Sequence, residues 1–480
     1  MKTQHIFSFL AVSVIQSFAQ KPNIVFILAD DQRALGTIHA LGGNEVITPN
    51  IDELVKNGTS FTNSYIMGGS QPAVSAPSRN MLMTGRNLFS IGTQNGINIA
   101  DNQTTMGECL GKAGYETYGI GKWHNNPSAF NRTFQGGNDI FFGGMGDQFK
   151  VPLNYYDPTG RYNNSMPIPG DNSKKAKADH FFVGKHSSEI FKDAALKFIK
   201  EYTEKKPFFL YVAFTSPHDP RKMPPKYLAM YDTANINIPP NFLSVHPFDN
   251  GELTIRDEKL AAFPRNPKEI KCHIRDYYAM ITHLDDQVGE IVKSLKAKGL
   301  YENTIIVFSG DNGLALGQHG LMGKQNVYEH SVKVPLVMVG KNIEKGKINS
   351  NFVYLFDIFP TLCSLTGIPI PATVQGRPFM GTNVKPRTSM FFAYRNFQRA
   401  VRKDDWKLIE YFVNGARTEQ LFNLKLDPLE IQNLVNDAGS KQTLEIMRDE
   451  LKKQRTLNND KVNLVKAGIK DTETFKDGHE

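Results

Sequence analysis

Ser75-Ala76-Pro77-Ser78-Arg79, continuing into Asn80-Met81-Leu82-Met83-Thr84-Gly85-Arg86, sets a small hydroxyl just before a proline suited to open a helix. A glycine suited to close that helix follows. Ser75 would then sit at the positive end of a helix dipole, where an anion or a side chain that becomes anionic is stabilised. Taken alone, the segment is equally an ordinary Ser/Pro helix start. Two further pairs carry oxygen ligands. Ile24-Val25-Phe26-Ile27-Leu28 reads as a buried strand and runs into Asp30-Asp31; Ile305-Ile306-Val307-Phe308 runs into Asp311-Asn312. Ligand sites in open α/β sheets lie beyond the carboxyl ends of the strands. Adjacent carboxylates there repel unless a cation lies between them, and a hard cation such as Ca²⁺ prefers oxygen ligands. A lone Asp-Asp is more often a turn at a strand end; two strand ends together could supply Asp30, Asp31, Asp311 and Asn312 to one ion.

Three further segments add cationic and titratable groups. They are Gly121-Lys122-Trp123-His124, Ser216-Pro217-His218-Asp219-Pro220, and Leu316-Gly317-Gln318-His319-Gly320-Leu321-Met322-Gly323-Lys324. The first two follow strand-like runs. Each has a bland reading, as a solvated loop or a turn.

Together, and in this order, the motifs resemble those of the type I sulfatases. Ser-x-Pro-Ser-Arg followed by Thr-Gly-Arg looks like their signature, whose first residue, Cys or Ser, is oxidised after translation to formylglycine, the catalytic aldehyde. The resemblance is carried by motifs from about Lys21 to Val339 and beyond that by general pattern only. It implies that Asp30, Asp31, Asp311 and Asn312 hold Ca²⁺, with the modified Ser75 completing the coordination. It implies that Arg79 holds the nucleophile as an anion, that Lys122, His218 and Lys324 bind sulfate oxygens, and that His124 accepts a proton as sulfate is expelled. Gln318 stands where the family usually has Glu, and Lys333 where Arg is common. Sugar specificity is expected from loop residues around Asn125, Arg221 and His319. A serine, rather than a cysteine, at position 75 implies a serine-type anaerobic sulfatase-maturating enzyme as partner, acting before export. The implied activity is hydrolysis of sulfate esters on carbohydrates such as glycosaminoglycans or mucin glycans. The competing readings are a phosphate or phosphonate ester hydrolase of the alkaline-phosphatase superfamily and a non-catalytic binder of sulfated glycans. The former would need a histidine-rich second metal site, which is not evident in the sequence.

The elements that must position these residues alternate in type. Near-continuous apolar runs also occur at Phe208–Phe214 and Val334–Val339, as suits strands buried on both faces. Helical patterns lie between them, over Ser187–Glu204 and Asp276–Lys298. This predicts an α/β fold: a large mixed, mostly parallel sheet flanked by helices, alkaline-phosphatase-like. Lys222–Lys271, rich in Pro and Asn, reads as a long surface excursion of the kind that often walls a site. After about Lys385, short strands and a helix bearing Leu444, Met447 and Leu451 predict a smaller C-terminal α+β subdomain on an antiparallel sheet. The predicted domains are therefore a catalytic one over 21–385 and the subdomain over 386–480.

Residues 1–20 have a basic start, a short apolar core and a small-residue end, which predicts a signal peptide and a periplasmic or secreted protein. The apolar run is too short to span a bilayer. Three cysteines, Cys109, Cys272 and Cys363, make no disulfide framework and have no metal-type spacing; Cys109 and Cys363 read as buried core thiols. A net charge of +8 over 480 residues, without a long basic run bearing aromatics, argues against nucleic acid as partner.

Overall fold

The computed structural model describes residues 21–91, 96–381 and 384–464. The predicted signal peptide lies outside these residues. The apolar runs form the centre of an eight-stranded sheet. Its labelled strands are β1 (Asn23–Ala29), β2 (Glu116–Lys122), β3 (Gly136–Phe141), β4 (Phe208–Ala213), β5 (Thr304–Gly310) and β6 (Leu336–Val339). The short strands Thr59–Phe61 and Lys347–Asn349 complete one edge. From that edge the order runs Lys347–Asn349, Thr59–Phe61, β6, β5, β1, β4, β2, β3. The five strands from β5 to β3 are mutually parallel, and β6 is antiparallel to β5.

Register explains why the motifs converge. Ala29 lies opposite Gly310, Leu28 opposite Ala213, and Gly121 opposite Ala213. The strands carrying Asp30, Asp311, His218 and Lys122 therefore end side by side. β1, β4 and β5 are buried throughout, as their unbroken apolar runs require.

Helices cover both faces. Among them are α1 (Ser75–Thr84), α2 (Ser187–Glu201) and α3 (Pro267–Ala297). The last starts nine residues before the apolar pattern suggested, because Asn266 caps it through the Lys268 N–H and Pro267 occupies its first position. Its first turns thus consume the end of the excursion that begins at Lys222. Cys109 and Cys363 are buried with their sulfurs 3.9 Å apart, and Cys272 is exposed.

The C-terminal strands β7 (Ser389–Tyr394), β8 (Gln398–Lys403), β9 (Trp406–Val413) and β10 (Ala416–Asn423) form an antiparallel meander. The helix α4 (Lys441–Leu457) packs on it through Leu444, Met447 and Leu451. A fifth strand, Gly68–Gly69, joins β7 in parallel from just before α1. There φ of Gly68 is +113°, and a Cβ would lie 2.0 Å from the Ala393 carbonyl oxygen, so only glycine allows the pairing. One buried cluster runs from Ile24 through Met83 to Leu451. A division near 385 therefore cuts through the C-terminal sheet, whose fifth strand is Gly68–Gly69, and through the shared core.

Five buried histidines are held neutral. Burial pushes His186, His246 and His319 down to about 4, and His283 and His330 lower still. In the unfolded chain each would bind a proton near pH 6.5, so the unfolded state takes up more protons below that pH. Their contribution to stability is present above pH 6.5 and is lost as pH falls towards 4. Glu258, Asp285 and Glu430, which burial pushes up, run the other way. With five histidines against three acids, the net expectation is a loss of stability as pH falls through about 5. Thermal unfolding followed between pH 7 and 4.5 checks this, and a flat midpoint would contradict it.

Candidate active site

The α1 helix begins at Ser75 itself, with Pro77 at its third position and not its first. Proline fits there because the first N–H groups of a helix have no intrahelical partner to lose. Gly85 closes the helix in the left-handed conformation, its N–H donating to the Met81 carbonyl, as the sequence predicts. Every residue of the helix is buried. The Ser75 hydroxyl lies 2.9 Å from Asn312 Oδ1 and 3.2 Å from Asp30 Oδ1.

Around it, carboxylate oxygens of Asp30, Asp31 and Asp311 lie within 4.8 Å of one another, all buried. The Asp31 N–H donates to Asp311 Oδ1, and Asn312 Nδ2 donates to Asp31 Oδ1. Three cations offset the three acids. Arg79 Nε donates to Asp311 Oδ2 at 2.9 Å, while its Nη1 holds the Lys122 carbonyl. Lys122 Nζ is 2.6 Å from Asp30 Oδ2, and Lys324 Nζ is 2.6 Å from Asp31 Oδ1. His218 Nε2 approaches Asp31 Oδ2 at 3.6 Å.

The acids respond unequally. Burial alone would raise Asp311, but Arg79, Lys122 and Lys324 hold it at about 2. His218 and Lys324 likewise overcome burial at Asp31 and lower it. Asp30 goes up, since burial and the neighbouring Asp311 and Asp31 outweigh Lys122. Burial lowers Lys122 against the pull of Asp30; Asp31 and Asp257 overcome burial at Lys324 and raise it. Asp31 Oδ2 is buried and makes no hydrogen bond. An acid pushed towards neutrality by burial and by its acidic neighbours, an unsatisfied carboxylate oxygen and an all-oxygen donor set together fit a hard divalent cation. With acids and bases already balanced, such a cation leaves the site positive, which suits an anionic substrate.

Outer contacts fix this arrangement. His218 Nδ1–H donates to the Asp219 carbonyl at 2.6 Å, leaving Nε2 towards Asp31. The Asp219 carboxylate pairs with Arg256; His218 and Arg256 overcome its burial and hold it low. The Tyr277 hydroxyl donates to the Asp31 carbonyl at 2.7 Å and accepts the Arg33 N–H. The sequence reading did not single out Arg256 or Tyr277. The first lies in the irregular excursion, and the second carried only a helical pattern. His124 adopts a positive φ of 61°, and a Cβ on Gly144 would lie 2.6 Å from its Nε2, so Gly144 makes room for the ring.

Two of the three expected sugar-facing residues are buried and held by backbone carbonyls. Asn125 is buried, its Nδ2 donating to the Ala76 and Ile97 carbonyls, so it ties down the first turn of α1. His319 stacks on Tyr328 at 4.0 Å and donates from Nε2 to the Glu430 carbonyl, in the seam below the C-terminal sheet. Both side chains thus satisfy backbone carbonyls. Arg221 is half-buried on the excursion, with Nη1 against His273 Nδ1 at 3.1 Å.

A family model described as sulfatase matches residues 22–368, a span that holds every member of this cluster. The chain belongs to the sulfatase family. A second model, described as the C-terminal part of N-sulphoglucosamine sulphohydrolase, matches residues 317–457 of this sulfatase, across the C-terminal sheet. The sulfatase is 26% identical to an N-acetylglucosamine-6-O-sulfatase of Bacteroides thetaiotaomicron, over 91% of this chain and 87% of that protein. It is 28% identical to an arylsulfatase of Clostridium perfringens, over 90% and 94%. A solved structure, described as a complex with its substrate D-glucosamine-2-N,6-O-disulfate, shares the fold at a TM-score of 0.75. It is 22% identical and covers 93% of this sulfatase and 99% of that chain. The expected fold and family are thus borne out, and the protein is a sulfuric ester hydrolase. Among the described residues, no helix is long and apolar enough to cross a membrane.

Proposed function

We propose that this sulfatase removes sulfate ester groups from carbohydrates, using Ca²⁺ and a formylglycine made from Ser75. The observation that carries the reading is the Ser75 hydroxyl between Asp30 and Asn312, inside a buried acid cluster flanked by Lys122 and Lys324. The carbohydrate class draws support from the relative named as an N-acetylglucosamine-6-O-sulfatase. A carboxylate trio plus an amide and a hydroxyl oxygen suits Ca²⁺, which accepts many oxygen ligands in loose geometry, better than Mg²⁺.

When present, the cation and the hydrated aldehyde supply an acidic hydroxyl as nucleophile, which a plain serine cannot match at its own pKa. The rest falls to this chain's side chains. Arg79 fixes Asp311 and, through the Lys122 carbonyl, the end of β2. Lys122 and Lys324 turn their ammonium groups from the acids to sulfate oxygens, and His218 offers Nε2 beside them. One of these three protonates the departing sugar oxygen. His124 accepts the proton whose loss lets sulfate leave. Asn125 holds the first turn of α1 so that position 75 keeps its aim. The catalytic domain is 21–385 and the subdomain 386–480; export by the N-terminal signal and prior action of a serine-type maturase complete the picture.

The test is enzyme coproduced with such a maturase and assayed on a panel of sulfated mono- and disaccharides. Release of sulfate from at least one is expected. Turnover of a small aryl sulfate but of no sugar would overturn the carbohydrate reading. Chelation is expected to lower activity by roughly 100-fold or more, with recovery on adding Ca²⁺. Metal analysis should find one calcium per chain, and a pair of zinc ions would contradict the assignment.

A further inference from the structure

Arg221 lies just past the His218-Asp219-Pro220 turn, at the start of the excursion. Its Nη1 contacts His273 Nδ1 at 3.1 Å. His273 stands on α3 one turn before Tyr277, and the Tyr277 hydroxyl touches the Asp31 carbonyl. Residues four apart on a helix share a face. Arg221 therefore lies about one helical turn along α3 from the residue that touches the acid cluster.

Two features of the guanidinium stand out. Nε and Nη2 are buried and make no hydrogen bond. These two atoms form the edge of the group that grips an oxyanion with parallel bonds. Nor does Arg221 make a direct ion pair within 4 Å among the described residues, although its charge helps hold Asp219 low. Asp219, the nearest acid in sequence, is taken by Arg256. His273 is pushed down by burial and by Arg221 itself, so it stays neutral and supplies no counter-charge. A bidentate edge left buried and unsatisfied is costly to keep unless a ligand completes it. Arg221 is only half-buried as a residue, so rotation about its outer torsions brings that edge to an incoming group.

We propose that Arg221 is the receptor for a second anionic group of the substrate, a carboxylate or a further sulfate on the sugar that carries the scissile ester or on its neighbour. This rests on the carbohydrate sulfatase reading and narrows it to polyanionic glycans. The site for the scissile sulfate is formed by other residues, so Arg221 selects substrate and takes no part in bond breaking.

The experiment compares matured wild type with Arg221→Gln and Arg221→Lys on three probes. They are 4-nitrophenyl sulfate, sulfated saccharides with one sulfate and no other charge, and the same saccharides bearing a uronate or a second sulfate. The expected result is a wild-type preference for the two-anion saccharides. Arg221→Gln should lower the ratio of kcat/KM, two-anion over one-anion, by roughly 30- to 100-fold, mostly through KM. Arg221→Lys should restore part of that ratio, as a point charge without the fork. The uronate and disulfate arms tell which anion is received. A wild type without the preference, or a variant that slows all three probes equally, would overturn the proposal. Binding is read in parallel on Ser75→Ala protein, from the thermal shift caused by each saccharide. A shift that is larger for two-anion saccharides and vanishes in Ser75→Ala/Arg221→Gln supports the anion receptor even if no sugar is turned over. That outcome would overturn only the catalytic reading.

Discussion

Replacing Ser75 with alanine is expected to abolish sulfate ester hydrolysis, by at least about 10⁴-fold, while the protein stays folded. The asymmetry follows from the contacts. The Ser75 hydroxyl donates within the cluster, to Asn312 Oδ1 and Asp30 Oδ1, and α1 is otherwise fixed by Gly85, by Asn125 and by burial along its whole length. Losing the hydroxyl costs about 1 kcal/mol of hydrogen bonding, and the two oxygens it leaves face a cation site that can use them. Catalysis has no such reserve. In the proposed mechanism Lys122, Lys324 and His218 stabilise sulfate, but none of them forms the bond to sulfur. Circular dichroism and thermal melts should overlay those of wild type, with sulfate release below detection. A companion measurement separates the proposed modification from a plain serine mechanism. The peptide carrying Ser75 should be lighter by two hydrogens when the protein is coproduced with a serine-type maturase, and activity should scale with that fraction. Full activity in protein whose Ser75 peptide is unmodified would overturn the formylglycine assignment.

The strand ends made most of this site legible in the sequence. β1, β4 and β5 are buried on both faces, so their apolar runs are unbroken and the polar residues just beyond them stand out as Asp30-Asp31, His218 and Asp311-Asn312. Parallel pairing in near-level register then brings those ends together. Lys324 was legible only through the motif around it, since nothing in its spacing says that it reaches back to Asp31. What stayed hidden depends on contacts across long separations. Tyr277 meets Asp31 from a helix 246 residues later in the chain. Gly68–Gly69 gives no strand signal, because two glycines form a strand there only by close approach to Ala393. The loop positions of Asn125 and His319 do not show that both satisfy backbone carbonyls those loops would otherwise leave buried and unpaired.

Lys407→Met is expected to cost about 3–5 kcal/mol of stability, and to cost more at pH 8.5 than at pH 5.5. Lys407 lies fully buried on β9, 3.0 Å from Glu329 Oε1 and 2.8 Å from Glu430 Oε1. Removing it leaves two carboxylates together in a seam that water does not reach, with Arg402 and Lys333 beside Glu329 and neither paired to Glu430 among the described residues. Glu430 is already pushed up to about 7, because burial and Glu329 outweigh Lys407. Its folded pKa therefore stands above the ordinary 4.5 of a free chain. A carboxyl shifted in that direction contributes stability at low pH, and the contribution is lost as pH rises through the folded pKa. Without Lys407 the folded pKa moves higher still, so the loss extends over a wider range of alkaline pH, whereas near pH 5.5 a proton on Glu430 takes over part of the lysine's work. Denaturant titrations at the two pH values measure this, and Lys407→Met/Glu430→Gln should recover much of the difference at pH 8.5. Equal losses at both pH values would contradict the account. The seam also reaches the active site. Glu329 begins the turn whose His330 carbonyl lies 2.0 Å from where a Cβ on Gly313 would stand, and the Gly313 N–H donates to the Ser331 carbonyl. Gly313 directly follows Asn312, and Lys324 enters the same segment from its other end. Loosening Glu329 should therefore lower kcat as well as stability, which makes the C-terminal sheet a wall of the site and not an appendage to it.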